Sequence, residues 1–275
     1  MKKKILITGP TGFVGRQVLK YLVKTDVDIT LIARNKTNLS LLNLPIETKI
    51  ITTSNIFAET TEWWANVLLG VDTVIHLAWY VEPGKYLQSS KNIDCLNGTL
   101  NLAKAASQVG IKRFIGIGTC FEYDLSYGLL SVNTPLKPLT PYAKAKVDTY
   151  LSLSAIFIKL GIEFAWCRLF YLYGDGENPK RLVPYLREKL QAGEPVELTS
   201  GKQTRDFIEV SEAGRLICET ALSNFQGPIN ICSGIPITVM ELAENIADEY
   251  GRRDLLMFGV RKDNFFDPPY VVGQK

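Results

Sequence analysis

The chain is poor in the residues that build metal centres and disulfide frameworks. Among its 275 residues histidine occurs once, at His76, and the five cysteines (Cys95, Cys120, Cys167, Cys218 and Cys232) are odd in number and widely spaced. No Cys-x-x-Cys pair or Cys/His ligand spacing is present, so structural zinc and a disulfide-stapled fold are not expected and a reduced, cytoplasmic protein is. Charge of one sign is not in excess either: 31 Lys and Arg against 28 Asp and Glu leave +3, well mixed along the chain. The basic clusters that mark nucleic-acid or membrane-surface partners are missing, and neither partner is expected. Long apolar runs are missing as well. The opening Lys2-Lys3-Lys4-Ile5-Leu6-Ile7 has the charged start of a signal peptide, but its apolar run breaks at Thr8-Gly9-Pro10. The greasiest stretch, from Leu151 to Tyr173, carries Lys159, Glu163 and Arg168, which excludes an ordinary bilayer span. No internal repeat or low-complexity segment stands out.

What is present is a rhythm. Short β-rich runs at Lys4–Thr8, Asp28–Ala33, Ile46–Thr52, Thr73–Leu77, Arg113–Ile117 and Glu163–Leu169 alternate with helical stretches around Phe13–Lys24, Glu62–Leu68, Tyr86–Val109 and Tyr142–Leu160. Strands that are apolar without strict alternation imply a parallel sheet covered on both faces. The expected fold is α/β, a doubly wound parallel sheet with its ligand site beyond the strands' carboxyl ends. After Leu169 the composition changes. Gly174 to Pro179 reads as a loop, a helix starts near Arg181, Val196–Leu198 and Asp206–Ile208 read as short strands, and Glu212–Leu222 and Val239–Tyr250 as helices. We expect residues 1–170, with about 209–235, to form the cofactor-binding domain. About 171–208 and 236–275 then form a smaller, interleaved substrate domain.

Thr8-Gly9-Pro10-Thr11-Gly12-Phe13-Val14-Gly15 places three glycines between the first strand and the first helix. Gly9 allows the tight turn, Gly12 admits a pyrophosphate to the backbone, and Gly15 lets helix and sheet pack closely. The helix amino end near Phe13 offers unpaired amides and a favourable dipole to the phosphates. Three glycines alone can simply mark a turn; their place directly after the first strand makes them a dinucleotide cradle. The second strand ends in Arg34-Asn35-Lys36, where an acidic residue would select NAD and an arginine suits a 2′-phosphate. NADP is therefore expected, with NAD possible, and a solvated strand-end charge is the bland alternative for Arg34.

Tyr142 and Lys146 are one helical turn apart and share a face. A free phenol, with a pKa near ~10, is a poor proton shuttle at neutral pH. An adjacent ammonium, and the positive ring of an oxidised nicotinamide, favour the phenolate. Tyr142 can then exchange a proton with a carbonyl oxygen as hydride reaches or leaves its carbon. Lys146 can also bond the nicotinamide ribose, and Thr119, just past the strand Arg113–Ile117, can orient the same carbonyl. A Tyr-x-x-x-Lys spacing arises often by chance; following the glycine loop and Thr119, it points to a nicotinamide redox enzyme.

On these motifs the chain resembles the extended short-chain dehydrogenases/reductases, in the branch acting on nucleotide sugars. Thr8–Gly15, Asp72-Thr73-Val74-Ile75-His76-Leu77-Ala78, Thr119, Tyr142 with Lys146, Arg168-Leu169-Phe170 and Gln203-Thr204-Arg205-Asp206-Phe207-Ile208 match in order. The resemblance implies a Rossmann-type cofactor domain and a smaller domain for a nucleoside diphosphate sugar. It places Asn55 and Ile56 against adenine, and Leu77, Ala78 and Phe170 along the cofactor. It sets Arg205 on the substrate diphosphate, a task that suits a guanidinium; a salt bridge to Asp206 or Glu209 is the alternative. It also implies a homodimer through the two long helices. Four features depart from the pattern: Asn55 stands in place of an Asp, Cys95 in place of an Asn, Tyr171 in place of the Asn usual after Arg-Leu-Phe, and the final helical segment of many relatives is missing after Lys275.

Three chemistries share such a scaffold. Sugar 4,6-dehydratases follow the threonine with an acid and a glutamate; here Cys120 and Phe121 stand there, so dehydration is disfavoured. Epimerase-reductases need a Cys/His pair; Phe121 fills the cysteine place and His76 reads as structural. What remains is ketone reduction or a 4-epimerisation. The strings Gly118-Thr119-Cys120-Phe121-Glu122-Tyr123 and Arg168-Leu169-Phe170-Tyr171-Leu172-Tyr173-Gly174 are similar to reductases of nucleotide-linked 4-keto-6-deoxyhexoses, which make deoxysugars for bacterial surface polysaccharides such as O-antigen. The expectation is an NADPH-dependent 4-ketoreductase of a dTDP- or CDP-linked 6-deoxyhexose, with an NAD-dependent 4-epimerase as runner-up and a redox-sensing binding module as the alternative outside enzymes. Trp79, Phe121, Glu122, Tyr171 and Arg205 are the expected substrate residues. For Glu122 a buried structural carboxylate, and for Trp79 core or rim packing, are equally open.

Overall fold

A computed structural model describes residues 2–35, 39, 44–264 and 267–275. The first half builds strand and helix by turns: β1 (Lys3–Thr8), α1 (Phe13–Leu22), β2 (Val27–Ala33), β3 (Lys49–Thr52), α2 (Thr61–Val67), β4 (Thr73–His76), α3 (Lys91–Val109), β5 (Arg113–Thr119), the two-residue β6 (Leu129–Leu130), α4 (Pro141–Leu160) and β7 (Glu163–Leu169). The second half has shorter strands: β8 (Tyr171–Tyr173), α5 (Leu182–Ala192), β9 (Val196–Glu197), β10 (Thr204–Glu209), α6 (Val210–Leu222), β11 (Gly227–Ile231), β12 (Pro236–Thr238), α7 (Val239–Tyr250), β13 (Leu256–Met257) and β14 (Tyr270–Gly273).

Seven strands form one parallel sheet in the order β11-β7-β5-β4-β1-β2-β3. Successive residues serve opposite faces. Ile5, Ile7, Leu31, Ile75 and Ile117 pack with Val18, Leu22 and Ile217 of α1 and α6. Leu6, Ile32, Val74, Phe114 and Trp166 pack with Trp64, Leu102 and Phe157 of α2, α3 and α4. This is a Rossmann-like α/β fold, and both faces being dry explains why the strands read as continuous apolar runs. The chain runs outward from β1 to β3 and returns at β4, so the strand order reverses between β1 and β4 and a crevice opens there. A second, five-stranded sheet runs β12-β10-β14-β6 with β8 also on β10, and β13 pairs β9. Asp206 ties the two regions: fully buried, its carboxylate accepts from Ser233, Gly234 and Gly273 backbone amides at 2.7–3.1 Å.

Several boundaries differ from expectation, each for a local reason. The stretch Tyr86–Val109 is a 3-10 turn over Tyr86–Gln88 and then α3, because the Asn92 amide captures the Tyr86 and Ser89 carbonyls at 2.6 and 2.9 Å. Ile46–Thr52 becomes a strand only from Lys49, after a turn closed by Thr48 on Pro45. The strand expected over Arg113–Ile117 continues to Thr119, and that over Asp206–Ile208 starts at Thr204, which brings Thr119 and Arg205 onto strand ends. β11, a strand not among those expected, lies at the sheet edge, where a proline such as Pro228 is tolerated. Among the described residues no helix is long and apolar enough to cross a membrane.

Candidate active site

The glycine loop is built by close approach. Gly9 has φ +68°, and a Cβ there would lie 2.9 Å from the Ala78 nitrogen; at Gly15 it would fall 2.0 Å from the Gly9 oxygen. Gly12 is the N-cap of α1 and caps it with no side chain, so the first amides of the helix face the cleft uncovered. These features fit a pyrophosphate. The cleft beyond them, about 1390 Å³, is lined by Gly9, Thr11, Gly12, Phe13 and Val14 of the loop and by Leu77, Ala78 and Phe170 deeper in. Arg34 lines its mouth, exposed. Lys36 lies outside the described residues. Asn55 and Ile56 line the same side, but the Asn55 side-chain Oδ1 is already accepting from the Phe57 amide at 3.1 Å.

β4 ends in the one histidine. His76 Nδ1 lies 2.8 Å from the Thr8 hydroxyl and Nε2 2.9 Å from that of Thr99. The Thr99 hydroxyl donates to the Cys95 carbonyl, so it accepts from Nε2–H, and Nδ1 accepts from Thr8. The imidazole is thereby neutral and fully used. Burial, with a contribution from Lys146, pushes its pKa down to about 3. His76 is structural, as the sequence indicated.

The cleft's inner wall brings together Thr119, Tyr142 and Lys146, all nearly buried. α4 presents the last two because Thr140 caps it, accepting from the Ala143 amide at 3.1 Å, and Pro141 opens its first turn. Their electrostatics differ from expectation. The Lys146 ammonium donates to the Ile117 carbonyl at 2.7 Å and lies 3.6 Å over the Trp79 ring. Burial lowers its pKa to about 7, against the raising influence of Glu122 and Cys95. Burial likewise raises the Tyr142 phenol above its ordinary value, with Tyr86 and Glu122 adding and the Thr119 hydroxyl opposing. Desolvation thus favours the neutral phenol over the phenolate expected from the sequence.

Glu122 does not face the cleft. It is fully buried, accepting from Arg168 Nε at 2.6 Å, from Trp166 Nε1 and from the Thr119 amide at 2.8 Å. Of its two sequence readings the structural one holds: it closes a capping box with Thr119 and orients that strand end. Gly118 makes room for it, since a Cβ there would lie 2.4 Å from the Glu122 carboxylate. Trp79, Phe121, Tyr171 and Arg205 all line the cleft. Phe121 meets Tyr171 edge-on at 6.1 Å. Arg205 pairs with neither Asp206 nor Glu209; its Nη2 lies 2.7 Å from Asp267 Oδ2 and its Nη1 donates to the Thr204 carbonyl. Asp206 is already spent on backbone amides. Both Arg205 Nη2 and the Tyr171 hydroxyl are buried without an aligned hydrogen bond, so this corner presents unused donors.

Tyr86 was not singled out from the sequence. Its ring meets that of Tyr142 edge-on at 4.8 Å, and Arg181 lies 5.9 Å from its centre. Only its position in the aromatic-rich segment Trp79–Tyr86 hinted at it. The five cysteines are free and buried, and among the described residues no group of three His, Cys, Asp or Glu could hold a metal ion.

Compared with known proteins, residues 5–232 match the NAD dependent epimerase/dehydratase family, and the chain belongs to that family of enzymes. It is 25% identical over 276 residues to the dTDP-6-deoxy-L-talose 4-dehydrogenase (NAD(+)) of Aggregatibacter actinomycetemcomitans, covering 98% of this chain and 99% of that one. It is likewise 25% identical over 261 residues to the dTDP-glucose 4,6-dehydratase of Streptomyces niveus, covering 90% and 78%. Its fold is similar to that of the UDP-N-acetylglucosamine 4-epimerase from Methanobrevibacter ruminantium M1, with a TM-score of 0.87 and 23% identity over 100% of this chain and 90% of that one.

Proposed function

We propose that this enzyme reduces the C4 ketone of a 4-keto-6-deoxyhexose carried on a nucleoside diphosphate, dTDP or CDP. One observation carries the reading: Thr119, Tyr142 and Lys146 converge at the inner wall of the cleft, while the next two residues lining it, Cys120 and Phe121, are not an acid–base pair and Glu122 is turned away. Cys120 is buried and its thiol is pushed up to about 12 by burial, and Phe121 is apolar. Elimination of water therefore has no acid–base pair here, despite the similarity to a dehydratase. A dinucleotide, when bound on the glycine loop, supplies or receives the hydride. Tyr142, protonated at neutral pH by its burial, donates to the carbonyl oxygen, which suits the reductive direction. The Thr119 hydroxyl steadies that oxygen. Lys146, in its ammonium form, stabilises the phenolate that is left. Arg205 and Tyr171 offer their unused donors to the diphosphate end of the substrate.

The family's description and the name of the talose dehydrogenase support NAD(H) as the cofactor. The exposed Arg34 at the mouth supports acceptance of a 2′-phosphate, hence of NADPH. We read the parallel sheet as the dinucleotide-binding domain and the second sheet with α5 and α7 as the sugar-nucleotide domain. The test is a panel of 4-keto sugar nucleotides assayed for NADH and NADPH oxidation, with Tyr142→Phe alongside. The variant should lose about 10²- to 10⁴-fold in turnover while binding dinucleotide normally. Full-rate turnover by Tyr142→Phe, or no oxidation with any ketone, sinks the proposal. A 4-epimerase uses the same three residues; it is the answer if the purified protein retains oxidised dinucleotide and interconverts C4 epimers without net consumption.

A further inference from the structure

We infer that Trp79 is a positioning residue for this reaction, holding the Lys146 ammonium through the face of its indole ring, and that Asn92 fixes that ring in place. The inference rests on the reading of Tyr142 and Lys146 as the proton-handling pair.

The sequence suggested Trp79 as a wall of the sugar pocket. The structure gives it a more specific position. Lys146 is 4% exposed, and its ammonium has two close partners, the Ile117 carbonyl at 2.7 Å and the Trp79 ring at 3.6 Å. The groups that face it from each packed element are His76 on β4, Cys95 on α3, Glu122 after β5, Tyr142 one turn back on α4, and Trp166 on β7, whose ring centre is 5.9 Å away. His76 and Tyr142 carry no charge at neutral pH, and neither does the buried Cys95 thiol, whose pKa burial raises. Glu122 is the one formal negative charge among them, and its oxygens are committed to Arg168, Trp166 and the Thr119 amide. The ring face thus supplies the negative potential that a paired carboxylate would supply elsewhere.

A π face holds a cation only if the ring is held. The Trp79 indole N–H donates to Asn92 Oδ1 at 2.9 Å, and the Asn92 amide donates to the Tyr86 and Ser89 carbonyls. Phe57 abuts the ring edge-on at 6.4 Å. The same asparagine anchors the turn that sets Tyr86 against Tyr142. Asn92 is therefore the pin that registers both aromatic contacts of the catalytic helix. Because burial already brings the ammonium close to neutrality near pH 7, a modest loss of stabilisation changes its charge within the working range.

The test titrates Lys146 directly in the full chain, by NMR of ¹³Cε-labelled lysine, with its signal assigned by its loss in Lys146→Arg. Relative to the parent, Trp79→Leu should lower the titration midpoint by about one pH unit, and Trp79→Phe, which keeps a weaker face, by less. If Trp79→Leu does not fold, Trp79→Met carries the same expectation. With an active substrate in hand, the alkaline fall of kcat should move to lower pH by the same interval. An unshifted midpoint in the folded Leu or Met variant overturns the inference, as does a Phe variant shifted as far as Leu. The titration needs no substrate, so its result stands apart from the ketoreductase reading: silence across the substrate panel sinks that reading alone.

Discussion

Two buried arginines, one on each of the two larger sheets, mark an enclosed region and an open one. Arg168 on β7 is enclosed: Nε bonds Glu122, Nη1 bonds the Tyr123 hydroxyl at 3.0 Å, and the guanidinium lies over the Tyr123 and Tyr150 rings. The Tyr123 hydroxyl donates on to Asn230 at 2.7 Å, which in turn reaches the carbonyls of Leu130 and Gln274. Arg205 on β10 has the same burial and also stacks on a tyrosine, Tyr171, but its ion-pair partner Asp267 is 39% exposed and one donor is left over. Identical chemistry thus serves two ends. A guanidinium paired with a fully buried carboxylate specifies the fold, and one paired with a half-exposed carboxylate at a cleft is the better placed of the two to meet an anion.

The largest effect expected from breaking this contrast is on stability. Arg168→Leu strands the Glu122 carboxylate in the core, and removal of one partner of a buried pair costs about 3–5 kcal/mol; urea unfolding measures it. Arg205→Ala should cost about 1 kcal/mol in the same assay, because its partner is partly solvated. Its main effect should be a rise in KM for the nucleotide sugar of about 10- to 100-fold, the worth of one charge-assisted bond. Comparable stability losses for the two variants would abolish the distinction. The third effect is confined to acid and concerns His76, another enclosed polar group. Its folded pKa is depressed to about 3 from 6.5, so the unfolded chain takes up a proton first as pH falls. Stability is fully present above about pH 6.5 and declines below it, by at most about 1.4 kcal/mol per pH unit down to about pH 3. His76→Gln should flatten that decline; an unchanged slope would show that His76 does not cause it.

The same contrast governs what was legible beforehand. The centre of the large sheet was readable because β1, β4, β5 and β7 are largely buried on both faces and alternate with helices. Gly9, Gly12 and Gly15 carried their geometry in their spacing, and Tyr142 with Lys146 carried theirs in one helical turn. The small sheets were only partly readable: β9 and β10 were expected, whereas the two- and three-residue strands β6, β8, β12 and β13 are too short to express a period. Glu122 was left with two readings because its neighbours in sequence are silent about Trp166 and Arg168, more than forty residues away.

Local pattern, then, determined the alternation of strand and helix, the glycine loop and the Tyr142–Lys146 pair, since each is expressed within a short stretch of chain. Tertiary packing alone decided that the phenol stays protonated, that Lys146 rests on Trp79, that Glu122 turns inward and that Arg205 meets Asp267. Those outcomes are set by desolvation and by partners drawn from separate strands and helices. Neither quantity exists until the chain has folded around them.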